Sequence, residues 1–273
     1  MPTLSSTTLG EVAYGASGDG PTKLLLMHGW AGSGAYFDPM IEHLDPELVS
    51  CVSLDLPGHG SSTPASNRYS LDLIADVVIA VADAANADTF VLLGFSMSGK
   101  FAQYVTHRHP DRVVGQILVA GCPTGELPLP AELVDDWCSR AGDADRLAEI
   151  VSSCATQPIP AEVLAAVGRS AARVSESVLR ETMDLCAGTS FSDQVAGSAV
   201  PTLVLGGSGD WLFTPDLLRE GVVEPLADAR LDILDCGHEI PLEAPLELAR
   251  RVSQFLPQLS ATAPGVAERQ TTS

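Results

Sequence analysis

The sequence predicts an α/β protein built on a mostly parallel sheet, and three observations carry that reading. From Lys23 onward, short apolar runs alternate with longer segments of helical period, as βαβ units require. The apolar runs lead into Gly, Asp or Pro, residues that end a strand and turn the chain. At 273 residues, one large core can bury about three quarters of the surface the unfolded chain exposes.

The elements follow in chain order. The segment before Gly20 is expected to add an antiparallel ribbon at one edge. Strands are expected over 24–27, 51–54, 90–93, 113–119, 202–205 and 230–234. Between the second and third, a helix over 71–85 carries Leu71, Ile74, Ala75, Val78 and Val81 at helical spacing, and Ser70 suits its N-cap. The alternation stops over 122–199, a stretch of helix-forming pieces rich in Ala, Glu, Asp and Arg and broken by Pro128, Pro130, Pro158 and Pro160. It resumes at Val200-Pro201-Thr202. The expected organisation is therefore a core of 1–121 and 200–259, with a helical insertion over 122–199 between two strands of one sheet. Residues 260–273 are polar without periodicity and are expected to be a disordered tail.

The chain has 15 Lys+Arg against 35 Asp+Glu, a formal charge of −20, with 45% hydrophobic residues. That hydrophobic content excludes disorder for the bulk of the chain. The acidic balance argues against nucleic-acid and anionic-membrane partners, because both need a basic patch to displace counterions. No window approaches the roughly 18 apolar residues of a membrane span, and Met1 to Ser6 show no basic region leading into an apolar stretch. A soluble, cytoplasmic protein is expected. The six cysteines form no C-x-x-C pair, so reduced, buried thiols are expected. Monomer and homodimer stay equally open.

The most informative stretch is Phe90-Val91-Leu92-Leu93-Gly94-Phe95-Ser96-Met97-Ser98-Gly99-Lys100. An apolar strand runs into a Gly/Ser turn and then a helix, the context of a nucleophile elbow that presents Ser96 above the sheet edge. The same residues stand one position from a phosphate-binding loop, but that loop needs a hydroxyl where Phe101 stands. A nucleophilic serine needs a base, an acid that orients the base, and donors for the oxyanion. His238, in Cys236-Gly237-His238 after the last strand, is placed to be the base. Asp210, in Gly206-Gly207-Ser208-Gly209-Asp210 after the preceding strand, is placed to be the acid. Asp235 competes for that role but lies too near His238 in sequence. The oxyanion donors are expected to be the backbone N–H groups of Met97 and of Trp30, the latter in the loop Met27-His28-Gly29-Trp30-Ala31-Gly32.

The elbow, the order Ser96, Asp210, His238, the His28-Gly29 loop, the Asp55-Leu56-Pro57-Gly58-His59-Gly60 turn and the Gly237-His238 loop followed by Glu243 and Pro245 together resemble the α/β-hydrolase superfamily. The resemblance runs from about Lys23 to Leu256. It implies the α/β-hydrolase fold, with the insertion as a cap over the substrate pocket. Its departures are Ser98, where the elbow ordinarily has glycine, and Lys100 behind it. It also implies a serine hydrolase that cleaves a small or medium ester, lactone or related carbonyl substrate through an acyl-enzyme. Carbon–carbon bond hydrolases, perhydrolase- or haloperoxidase-like enzymes and cofactor-free dioxygenases reuse the same triad, and a hydrolase-like ligand receptor is a further alternative. No cofactor and no metal are expected, and the partner is a small-molecule substrate. Trp30, Phe95, Trp137, Trp211 and Phe213 are the candidate pocket residues, while His28 and His59 are expected to hold their loops.

Overall fold

The computed structural model describes residues 3–6 and 9–262, and in it all six expected apolar runs form strands, several a residue or two longer than expected. β1 (Thr3–Ser6) and β2 (Gly10–Ser17) make the antiparallel ribbon. β3 (Thr22–Met27), β4 (Val49–Leu54), β5 (Phe90–Phe95), β6 (Val113–Val119), β7 (Thr202–Gly207) and β8 (Ala229–Leu234) follow. The eight strands lie in the order β1-β2-β4-β3-β5-β6-β7-β8. β2 meets β4 antiparallel, and every pairing from β4 to β8 is parallel.

The central strands read as unbroken apolar runs because both faces of the sheet are covered. Leu25, Met27 and Leu92 pack into one buried cluster. Their neighbours Leu24, Leu26, Val91 and Leu93 pack into a second. This is the period of two expected of a strand.

The helix expected after β4 is present. A short α1 (Asp38–Ile41) precedes β4, and α2 (Leu71–Ala84) follows it, with the Ser70 hydroxyl accepting the Leu73 N–H at 3.1 Å. α3 (Met97–Arg108) starts directly behind β5. Between β6 and β7 run α4 (Ala131–Ser139), α5 (Ala144–Cys154), α6 (Ala161–Ala171), α7 (Glu176–Gly188) and α8 (Ser192–Val195). α9 (Pro215–Leu218) lies between β7 and β8. After β8 come α10 (Ile240–Glu243) and α11 (Pro245–Thr262).

The chain order thus sets the C-terminal ends of β3, β5, β7 and β8 along one edge, where an open parallel sheet gathers its functional loops. α11 continues through Thr262, so residues 260–262 of the expected tail are helical; residues 263–273 lie outside the described residues. All six cysteines are unpaired and buried. Among the described residues, no helix is long and apolar enough to cross a membrane.

Candidate active site

Ser96 sits between β5 and α3 with φ 54° and ψ −120°, a left-handed conformation that costs a non-glycine residue on the order of 1–3 kcal/mol. Close packing around the turn enforces it. A Cβ on Gly94 would lie 2.3 Å from the Ser98 carbonyl oxygen, and one on Gly99 would lie 2.4 Å from the Gly121 Cα. The close approach thus falls at Gly99, one place beyond the usual glycine. Ser98 fits because its hydroxyl donates to the His28 carbonyl at 2.5 Å, tying the elbow to the glycine-rich loop after β3.

The three residues named from the sequence come together. Ser96 Oγ is 2.9 Å from His238 Nε2, and His238 Nδ1 is 2.8 Å from Asp210 Oδ2. The other Asp210 oxygen accepts the N–H groups of Leu212 at 2.8 Å and Phe213 at 3.0 Å, so the turn after β7 aims the carboxylate. Asp235 lies elsewhere, its carboxylate 3.4 Å from the Ser208 hydroxyl. Burial by itself would push the His238 imidazolium down. The Asp210 carboxylate, with Glu239 and Glu243 nearby, outweighs burial, and the net direction is up.

Glu243 holds the His238 loop. Its carboxylate accepts the N–H groups of Gly237 and Glu239, and also those of Thr156 and Gln157 at the end of the α5 segment. The amides of Trp30 and Met97 bond no acceptor among the described residues, as donors kept free for a substrate oxygen would. His28 and His59 hold loops. His28 Nδ1 lies 2.8 Å from the Gly29 carbonyl, and Nε2 accepts the Leu56 N–H at 3.0 Å. Burial pushes His28 down to about 4 and, with His28 beside it, His59 to about 3, so both rings are neutral at pH 7.

A family model described as the alpha/beta hydrolase fold matches residues 23–157, and the chain superposes on the enol-lactonase from Burkholderia xenovorans LB400 with a TM-score of 0.81. The chain has the α/β-hydrolase fold. That lactonase is 20% identical, and the match covers 94% of this chain and 100% of the lactonase. An esterase from Exiguobacterium antarcticum superposes with a TM-score of 0.84 at 16% identity, covering 93% of this chain and 98% of the esterase. Among curated relatives, the pimeloyl-[acyl-carrier protein] methyl ester esterase of Chromobacterium violaceum is 38% identical over 107 residues, 39% of each chain. The matched stretches span less than half the length of the curated relatives.

A cavity partly open to solvent lies over Ser96. Of the expected pocket residues, Trp30, Phe95 and Trp137 line it, the first two beside Ser96 and His238. Trp30 is pinned by its indole N–H to the Leu179 carbonyl of α7 at 2.9 Å, and its ring meets Trp137 at 5.8 Å.

Trp211 and Phe213 do not line the cavity. Trp211 is 50% exposed, packs edge-on against Trp137 from outside and donates to the Ser153 carbonyl. Phe213 is buried with its ring 5.4 Å from the His238 ring, supporting the imidazole. The residue between them, Leu212, is the one that faces inward.

Sequence reasoning missed Tyr36 and Glu239, both lining the cavity. A charged residue directly after His238 at the strand end was the available signal for Glu239.

It also left Lys100 without a role. Lys100 is fully buried, and its ammonium donates to the carbonyls of Cys186 at 2.5 Å, Gly125 at 2.7 Å and Thr189 at 2.9 Å. Three acceptors match the three N–H groups of an ammonium, and a cation at the C-terminus of α7 suits the helix dipole. This cradle is closed, so it holds no phosphate.

Proposed function

We propose that this protein is a serine hydrolase that cleaves a carboxylic ester or lactone through an acyl-enzyme on Ser96. The observation that carries the reading is the unbroken hydrogen-bonded chain from Ser96 Oγ through both nitrogens of His238 to Asp210. His238 takes the Ser96 proton as Oγ bonds to the substrate carbonyl carbon. The carbonyl oxygen becomes an oxyanion between the amides of Trp30 and Met97. On collapse the C–O bond to the leaving alcohol breaks, and that oxygen takes the proton from His238. Water, deprotonated by His238, then attacks the acyl carbon; on collapse the bond to Ser96 Oγ breaks, His238 returns its proton to that oxygen, and the acid leaves. Asp210 fixes the tautomer and stabilises the imidazolium.

Residues 122–199 act as the cap that walls the cavity over a core of 1–121 and 200–259. The six unpaired thiols suit a reducing compartment, the cytoplasm. Names of esterases and an enol-lactonase among the similar proteins support a small ester or lactone as substrate.

The test is labelling with a fluorophosphonate probe together with hydrolysis of p-nitrophenyl acetate. Labelling and turnover in the parent, both lost in Ser96→Ala, are expected. An unlabelled parent that turns over none of a panel of esters refutes the reading and favours a ligand receptor on the same scaffold.

A further inference from the structure

The cavity wall is mostly apolar, with Trp30, Phe95, Trp137 and Ile150 among its side chains. Apart from Ser96 and His238, the hydroxyl- and carboxyl-bearing side chains that line it are Tyr36 and Glu239, and no lysine or arginine does. The two form a pair, with the Tyr36 hydroxyl donating to Glu239 Oε2 at 2.8 Å. Glu239 Oε1 accepts no hydrogen bond among the described residues, and Glu239 makes no ion pair there. The groups that face the carboxyl are the Tyr36 hydroxyl, the Cys154 thiol and the side chains of His238, Glu243 and Asp210.

Burial pushes the Glu239 carboxyl up to about 7, outweighing His238 and the Tyr36 hydroxyl, which pull it down. The Tyr36 ring stacks on Phe95 at 5.6 Å, and Phe95 lies 5.4 Å from the His238 ring. The pair therefore stands one aromatic ring away from the imidazole, within reach of one end of a bound substrate. Glu239 is buried, but its second carboxyl oxygen is not sealed off from the cavity, and the carboxyl has no part in the triad. A group that both donates and accepts a hydrogen bond matches it in either protonation state, and a hydroxyl is such a group. A substrate carboxylate would meet Glu239 with no cation to offset the repulsion.

We propose that Tyr36 and Glu239 form a recognition site for a substrate hydroxyl, so that the cavity selects esters or lactones carrying a hydroxyl a few bonds from the scissile carbonyl over their hydrocarbon or carboxylate counterparts. The nature of the scissile bond rests on the hydrolase reading above. The hydroxyl site rests on the cavity alone.

Binding to Ser96→Ala, read by quenching of Trp30 and Trp137 fluorescence, tests the proposal without turnover. The ligands are methyl 4-hydroxybutanoate, 5-hydroxypentanoate and 6-hydroxyhexanoate, each against the isostere with a terminal methyl in place of the hydroxyl, and monomethyl adipate. At least one hydroxy ester is expected to bind about tenfold tighter than its isostere, the worth of one good hydrogen bond. Monomethyl adipate is expected to bind most weakly. The gap closes in Ser96→Ala/Glu239→Leu and survives in Ser96→Ala/Glu239→Gln, which keeps the hydrogen-bonding atoms. Tyr36→Phe, which keeps the ring stacked on Phe95, narrows it severalfold and serves should the leucine variant not fold.

No gap at any chain length, or a gap undiminished by Glu239→Leu, overturns the proposal. Kinetics of the parent on the same esters separate the two readings. A binding gap without turnover sinks the hydrolase and keeps the hydroxyl site, while turnover without a gap does the reverse.

Discussion

Replacing Lys100 with methionine keeps the aliphatic stem and removes the ammonium that joins the elbow helix α3 to the insertion. The carbonyls of Gly125, Cys186 and Thr189 have Lys100 as their only hydrogen-bond donor among the described residues. Without it, three carbonyl oxygens lose their partner, that of Cys186 buried and those of Gly125 and Thr189 part-buried. At about 1–3 kcal/mol for an unpaired buried group, less for the two part-buried carbonyls, and with relief from no longer burying a cation, the net loss is about 3 kcal/mol. The unfolding entropy of a chain this long is about 0.6 kcal/mol/K, so the midpoint should fall by about 5 °C. Thermal unfolding followed by circular dichroism reads the midpoint. Hydrogen exchange reads the place, with faster exchange expected over residues 186–191 and little change in β3. A midpoint within 1 °C of the parent, with unchanged exchange at the end of α7, would refute the view that this cation anchors the insertion.

Other expectations follow from the same contacts. The net upward push on His238 comes from Asp210, so Asp210→Asn lets burial dominate and moves the acidic limb of the kcat/KM profile to lower pH. Its maximum should fall on the order of 10³–10⁴-fold, since the amide can hold the wrong imidazole tautomer; a limb that stays put contradicts the assigned cause. Glu239 is protonated in the folded state up to about pH 7, against an ordinary value of 4.5. Its contribution to stability is therefore complete below pH 4.5 and is lost as pH rises through 7, worth about 3 kcal/mol at most. Urea midpoints at pH 5 and pH 8 should differ less in Glu239→Gln than in the parent. Burial pushes the thiols of Cys51, Cys154 and Cys236 up to about 12 and Cys138 to about 11. Native protein should thus resist iodoacetamide at pH 8, and mass spectrometry should count six adducts only after unfolding; rapid native labelling of Cys51 would contradict its burial.

Much of the candidate site was legible because its chemistry is local. Ser96 is marked by a strand, a small-residue turn and a helix in 15 consecutive residues, and Asp210 and His238 each follow an apolar run directly. In a parallel sheet those runs must place their ends along one edge, so chain order alone implies proximity. The aromatic residues were harder. Trp211, Leu212 and Phe213 are adjacent in sequence, yet one is half-exposed, one faces the cavity and one backs His238. The turn that aims Asp210 decides which, and its geometry comes from hydrogen bonds to a single carboxylate oxygen.

The periodicity and the motif order by themselves determined the sheet and the helical insertion and singled out Ser96, Asp210 and His238, because each is a property of residues close along the chain. Only the tertiary structure decided what the cavity is made of. Tyr36, from the turn after β3, meets Glu239, 203 positions away. Lys100 meets carbonyls on both ends of the insertion. These contacts join segments whose relative placement is set by packing across the whole sheet, and no local pattern of residues encodes that distance.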